Sequence, residues 1–361
     1  MMTNLTMSNL VEGPSPPEVK ACGPGQTSVL VFALAAAILL PGCSSTKTEP
    51  VRSAPVDRVW PEAPAEPRLA YTRSFRSPKD AGLRWTGGTW LARWFLGEPQ
   101  GNLVRPFGLA TDESNNLCIA DTGNAAIAFL DFSRKTWQSW NKIGAIEFVA
   151  PVAVAKRAGV FYAADSGLNK VIAFDGKGKL LFEIHEHLTR PSGLTILGDT
   201  LFVADAAAHK ILAFDPAGKF LFAFGSRGTG PGEFNYPTHL VADANGRLYV
   251  TDSMNFRIQI FNGRGHYQKG FGQPGDGSGS LSRPKGVGVD RHGSIYLVDA
   301  LFDNIQIFNE AGDFLLAFGE RGDQPGEFWL PAGIAIGGDD RIYVADSYNR
   351  RIQVFQLLPQ P

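Results

Sequence analysis

The chain has 361 residues, with 34 basic and 35 acidic side chains for a net charge of −1, and 44% of it is hydrophobic. That balance excludes the basic surface that nucleic-acid binding requires, so no nucleic-acid partner is expected. Three cysteines and six histidines lie scattered along it, with no metal-ligand spacing and no disulfide framework.

The first element is an apolar run of 12 residues, 29–40, followed by Pro41, Gly42 and Cys43. Twelve residues are too few to cross a bilayer and suit the apolar core of a signal peptide. Leu40-Pro41-Gly42-Cys43 resembles the bacterial lipobox. The resemblance implies removal of residues 1–42 and lipidation of Cys43, with the membrane reached through that anchor. Ser44 stands where an Asp would imply retention at the inner membrane, so delivery to the periplasmic face of the outer membrane is implied. Residues 43–67 are rich in Pro, Ala and mixed charge with no apolar period, as in an extended spacer.

Residues 68–75 (RLAYTRSF) read as a strand outside any repeat. Residues 83–97 follow as a rim insertion, in which Thr89 could cap a short helix presenting Leu91, Trp94 and Phe95 on one side.

From residue 106 onward one unit returns six times. A proline (Pro106, Pro151, Pro191, Pro237, Pro284, Pro331) opens an apolar strand, and an aspartate follows fourteen or fifteen residues later (Asp121, Asp165, Asp205, Asp252, Asp299, Asp346). Ile or Val stands six residues beyond each aspartate. A period of about 40–47 residues with short strands and Gly-rich turns is the signature of a β-propeller. In the fourth unit the strands are expected at 238–243, 247–252, 257–262 and 266–271. The connectors 224–237 (FGSRGTGPGEFNYP) and 318–331 (FGERGDQPGEFWLP) align residue for residue. These motifs resemble NHL repeats, whose pattern runs P-x-G-I/V-A-x-D, then L-Y-V-A-D-x-x-N-x-R-I-Q-x-F, then F-G-x-x-G-x-x-P-G-x-F-x-x-P. The resemblance covers about residues 105–356, is close in units four and six, and is degraded in two and three, where Leu168 and Ala208 replace the Asn.

The last unit stops near Gln356 without an outer strand. The expected fold is therefore an all-β, six-bladed propeller over residues 68–358, with 68–76 completing the last blade and removing its open edge.

No nucleophile motif or phosphate loop is present, so neither a catalytic residue nor a cofactor is assigned. His185 and His187, with Glu183 and Glu186, are expected on the outer strand of blade two, as a solvated edge rather than a metal site. The six repeated aspartates end their strands where a carboxylate can hold loop amides, a structural role. Strand alternation puts the connectors and the loops after those aspartates on one face. The residues after the prolines, Phe107, Val152, Ser192, Thr238, Lys285 and Ala332, mark the channel mouth there. Met254, Phe256, Leu301, Phe302, Tyr348 and Arg350 form a candidate partner face. The expectation is a non-catalytic scaffold for envelope proteins. The alternatives are a propeller enzyme of lyase or lactonase type, and a sensor binding a small ligand or carbohydrate at the channel mouth.

Overall fold

The computed structural model describes residues 58–86 and 101–359. Six antiparallel blades follow one another around a channel; five open on a proline strand as the innermost, and in blade six the innermost strand, Ile334–Ile336, starts just after Pro331. Blade four runs Pro237–Ala242, Arg247–Asp252, Arg257–Asn262 and Tyr267–Phe271. Its first strand begins one residue earlier than the sequence pattern suggests, and its fourth one residue later. Blades two, three and five share the four-stranded order. The outermost strands of blades three and four alternate between exposed and half-buried residues. The second and third strands are buried almost throughout, because each blade is packed between two others.

Blade six is closed from the N-terminal side. Leu69–Phe75 pairs antiparallel with Arg351–Leu357, placing Phe75 opposite Ile352 and Tyr71 opposite Phe355. Val59–Trp60 then covers Leu69–Phe75. Of the rim insertion, Arg84–Trp85 adds a parallel strand outside Thr136–Trp140 of blade one. Thr89, Leu91, Trp94 and Phe95 lie outside the described residues, as do Cys43 and the signal segment.

The repeat pattern has a hydrogen-bonding explanation. Each aspartate is buried and holds the connector that precedes its own blade. Asp121 accepts from the amides of Val104, Arg105, Gly123 and Asn124. Asp165 takes those of Val149, Ala150, Gly167 and Leu168, and Asp299 those of Ser282, Arg283, Leu301 and Phe302. Asp205 takes those of Thr189, Arg190 and Ala208. Where the connector is long, side chains assist. Asp252 accepts from the Asn235 amide, Asn255, Arg257 and Gln259, and Asp346 from the Trp329 amide, Asn349, Arg351 and Gln353. Arg351 and Gln353 then donate onward to the Asp323, Gln324 and Glu327 carbonyls of the Pro-Gly connector. The R-x-Q pair thus exists to tie down backbone that belongs to no sheet.

His185 and His187 do not lie on a strand. The outer strand of blade two ends at Ile184. His187 adopts a left-handed φ of 65° and packs its ring 4.5 Å from that of Phe220, while Glu183 pairs with Lys170. The turn toward blade three starts earlier than strand alternation suggested.

Candidate functional site

Five of the six residues that follow the prolines converge on one cavity. Phe107, Val152, Ser192, Thr238 and Lys285 line a space of about 680 Å³ at the mouth of the channel, together with Met254, Phe256 and Tyr236. That volume suits a small molecule. Ala332 does not reach it. It is fully buried, with its amide donating to the Ala345 carbonyl and its own carbonyl accepting from Gly286.

The floor of this cavity is a pair of rings. Phe107 of blade one and His239 of blade four, opposite each other in the ring of six, stack with centroids 5.6 Å apart and an interplanar angle of 27°. His239 also lines the lower part of the channel, a second cavity of about 260 Å³. The stack is a septum between the two spaces. His239 occupies the second position after its proline, where the other blades carry Gly108, Ala153, Gly193, Gly286 and Gly333. Glycine is required at four of those because neighbouring inner strands approach too closely for a side chain. A Cβ on Gly333 would lie 2.1 Å from the Phe107 carbonyl oxygen, and one on Gly108 2.3 Å from that of Val152.

The polar groups on the floor are unpaired. Neither ring nitrogen of His239 has a hydrogen-bond partner, although the residue is only 9% exposed, and the Thr238 hydroxyl is likewise buried without one. Burial first, and Lys285 second, push the His239 pKa down from 6.5 to about 3, so the imidazole is neutral. Lys285 places its ammonium 5.3 Å from the centre of the Phe107 ring. Burial, then the charges of Arg283 and Arg105, pull its pKa from 10.5 down to about 8. By contrast Ser192 is satisfied, donating to the Ala204 and Pro237 carbonyls.

Arginine surrounds the mouth in a pattern of its own. The residues just before the six prolines are Arg105, Ala150, Arg190, Tyr236, Arg283 and Leu330, with arginine ahead of every second blade. Arg190 and Arg283 line the cavity. Arg105 leans over the Tyr348 ring, 5.4 Å from its centre. No carboxylate lines the cavity, and among the described residues none pairs with Arg105, Arg190, Arg283 or Lys285. The period around the prolines was the signal for these arginines and for His239. They stand one residue before and two residues after the prolines, respectively.

The six residues of the candidate partner face have different surroundings. Met254 and Phe256 belong to the cavity wall, with Phe256 packed on the core between blades four and five. Phe302 is half-buried, Leu301 is 59% exposed, and Tyr348 packs against Trp329 at 5.6 Å. Arg350 is exposed with a left-handed φ of 57°. The same position, four residues after the aspartate, is left-handed in all six blades: Ala125, Asn169, His209, Phe256, Asp303 and Arg350. Among the described residues no group of His, Cys, Asp and Glu is placed to hold a metal ion. Cys118 is enclosed in blade one, where burial pushes its thiol pKa up.

Comparison with known proteins agrees with this architecture. The NHL repeat family matches residues 234–261 and 328–355, and a 6-bladed beta-propeller family matches residues 184–245. No curated protein sequence matches the chain. Among solved structures, a streptogramin B lyase is similar at 15% identity, with 71% of this chain and 94% of that chain covered and a TM-score of 0.55. An auxiliary nutrient binding protein from Bacteroides thetaiotaomicron is similar at 15% identity, with 72% and 70% covered and a TM-score of 0.56. The virginiamycin B lyase from Staphylococcus aureus gives 14% identity, 70% and 95% coverage and a TM-score of 0.53. At such identities these likenesses concern the fold alone. The chain is a six-bladed β-propeller carrying NHL repeats, closed by its own N-terminal strand.

Proposed function

We propose that this propeller is a non-catalytic binding protein of the bacterial cell envelope, anchored through a lipidated Cys43, that receives a small ligand at the mouth of its channel. The observation that carries the ligand reading is the floor of the cavity, where His239 and Thr238 are buried without partners. Unpaired buried polar groups cost about 1–3 kcal/mol each, and a ligand that bonds them recovers that cost. Binding is favoured over catalysis because an imidazole whose pKa is about 3 is too weak a base near neutrality, and no carboxylate lines the cavity to move a proton.

Native mass spectrometry of the full chain released from its own membranes tests this. A small molecule should accompany the wild-type protein and be lost from His239→Leu. Incorporation of labelled palmitate should be lost in Cys43→Ala, and an unlabelled wild type would remove the anchor. A second reading, a protein partner on the same face, is favoured by the exposed Leu301, Trp329 and Tyr348. A chain with an empty channel and a crosslinked partner that Leu301→Asp with Tyr348→Asp abolishes would establish that reading instead.

A further inference from the structure

The geometry points to a small anion on an apolar body as the ligand of the upper cavity, its charged head held among Lys285, Arg283 and Arg190 above the donors Thr238 and His239. This deepens the ligand-binding reading and rests on it.

Three features of the cavity carry the inference. Three cationic side chains line it and no carboxylate does. In a channel mouth of this kind like charges raise one another's free energy, and an anion relieves them together. The field is already felt by Lys285, whose proton is loosened by Arg283 and Arg105 as well as by burial. The floor supplies donors of the neutral kind: the Thr238 hydroxyl, and one N–H of an imidazole that stays uncharged. Both can donate to an anionic oxygen, and neither brings a counter-charge. Phe107, Val152, Met254 and Phe256 give the remaining wall an apolar surface between the hydroxyls of Ser166, Ser192, Ser253 and Ser282, and that surface would cover an aliphatic or aromatic body rather than a second charge. None of the six repeat aspartates lines the cavity, and their carboxylates are engaged by connector amides. Asp299, nearest in sequence to Lys285, accepts from the Ser282 and Arg283 amides.

The pH dependence follows from the groups around Lys285. It faces Arg283 on its own blade, Arg105 and Phe107 of blade one, and His239 of blade four. His239 stays neutral throughout the alkaline range, so the alkaline titration of the cavity floor is that of Lys285. Its ammonium is present at pH 7 and is lost as pH rises through about 8.

Calorimetric titration of the full chain with 2-naphthoate and with its neutral isostere 2-naphthamide tests the inference. At pH 7 the carboxylate should bind at least about tenfold more tightly than the amide, the scale of one charge-assisted hydrogen bond. Lys285→Met should erase most of that preference while leaving the amide unchanged. Between pH 7 and pH 9.5 the carboxylate affinity should fall in the wild type and stay level in Lys285→Met. Equal binding of the two probes would overturn the anion assignment and leave the ligand-binding reading standing. A preference that survives in Lys285→Met would place the anion elsewhere and overturn the site. Failure of both probes to bind at millimolar concentration would overturn both readings together.

Discussion

Asp346 and His239 are both enclosed, and they differ in what surrounds them. Asp346 is saturated by the Trp329 amide, Asn349, Gln353 and a 2.6 Å ion pair to Arg351, which is itself only 4% exposed. Asp346→Ala would strand that guanidinium in the blade interior, and removing one partner of a buried pair costs about 3–5 kcal/mol. Urea unfolding should show a loss of that size. His239 behaves in the opposite sense, because it is buried with nothing to bond. His239→Leu removes an unsatisfied imidazole and should be neutral or stabilising by about 1 kcal/mol at pH 7. Its folded pKa, about 3, lies below its unfolded value of 6.5, so the unfolded chain binds the proton first. That contribution to stability is present above pH 6.5 and is lost as pH falls toward 3. The advantage of His239→Leu over wild type should therefore widen from pH 7 to pH 4.5 in a denaturation series. Parallel slopes for the two proteins would contradict the buried neutral imidazole.

The strand that closes blade six shows how a local sequence deficit becomes a structural element. Phe75 is 1% exposed, meets Trp137 edge-on at 6.1 Å and shares a core cluster with Ile352 of the last strand. Phe75→Ala should cost about 3–5 kcal/mol, as for other buried aromatic truncations. It should also loosen Leu69–Phe75 from Arg351–Leu357 and so uncover an unpaired strand edge. Light scattering during thermal unfolding should then show association at a lower temperature than the wild type; an unchanged onset would mean that Val59–Trp60 and the remaining pairs hold the strand alone. This closure was legible because the last repeat was one strand short and an unassigned strand-like run preceded the first. The blades were legible for a similar reason, since proline, aspartate and the β-branched residue six positions later each do the same work in every copy. The cavity was less legible. Phe107 and His239 lie far apart in sequence and meet only because blades one and four face each other. Phe256 and Leu301 are both large apolar loop residues, yet Phe256, four residues after its aspartate, packs on the core, while Leu301, two after its own, stays exposed.

Across the whole molecule, the inner strands form a wall too tight to yield, and the channel is divided by side chains alone. Gly108, Gly193, Gly286 and Gly333 each lie against a neighbouring strand where a Cβ would come within 3 Å of backbone, so the ring cannot tighten further to close itself. The Phe107–His239 stack provides the barrier between the space of about 680 Å³ above and that of about 260 Å³ below. Phe107→Ala should join them. Phe107 is only half-buried, so the cost should fall short of the roughly 3–5 kcal/mol of an enclosed phenylalanine. The joined channel is polar enough at His239, Thr238 and Lys285 to hold ordered water, and a water bonded to the imidazole stabilises its protonated form. The His239 pKa should then climb from about 3 toward 6.5, which titration of its ring resonances by NMR would follow directly. Lys285 would lose the ring beneath its ammonium at the same time, so two blades should report one substitution. If His239 in Phe107→Ala stayed neutral down to pH 4, the imidazole would owe its dry surroundings to the inner strands themselves, and the septum would not be the barrier.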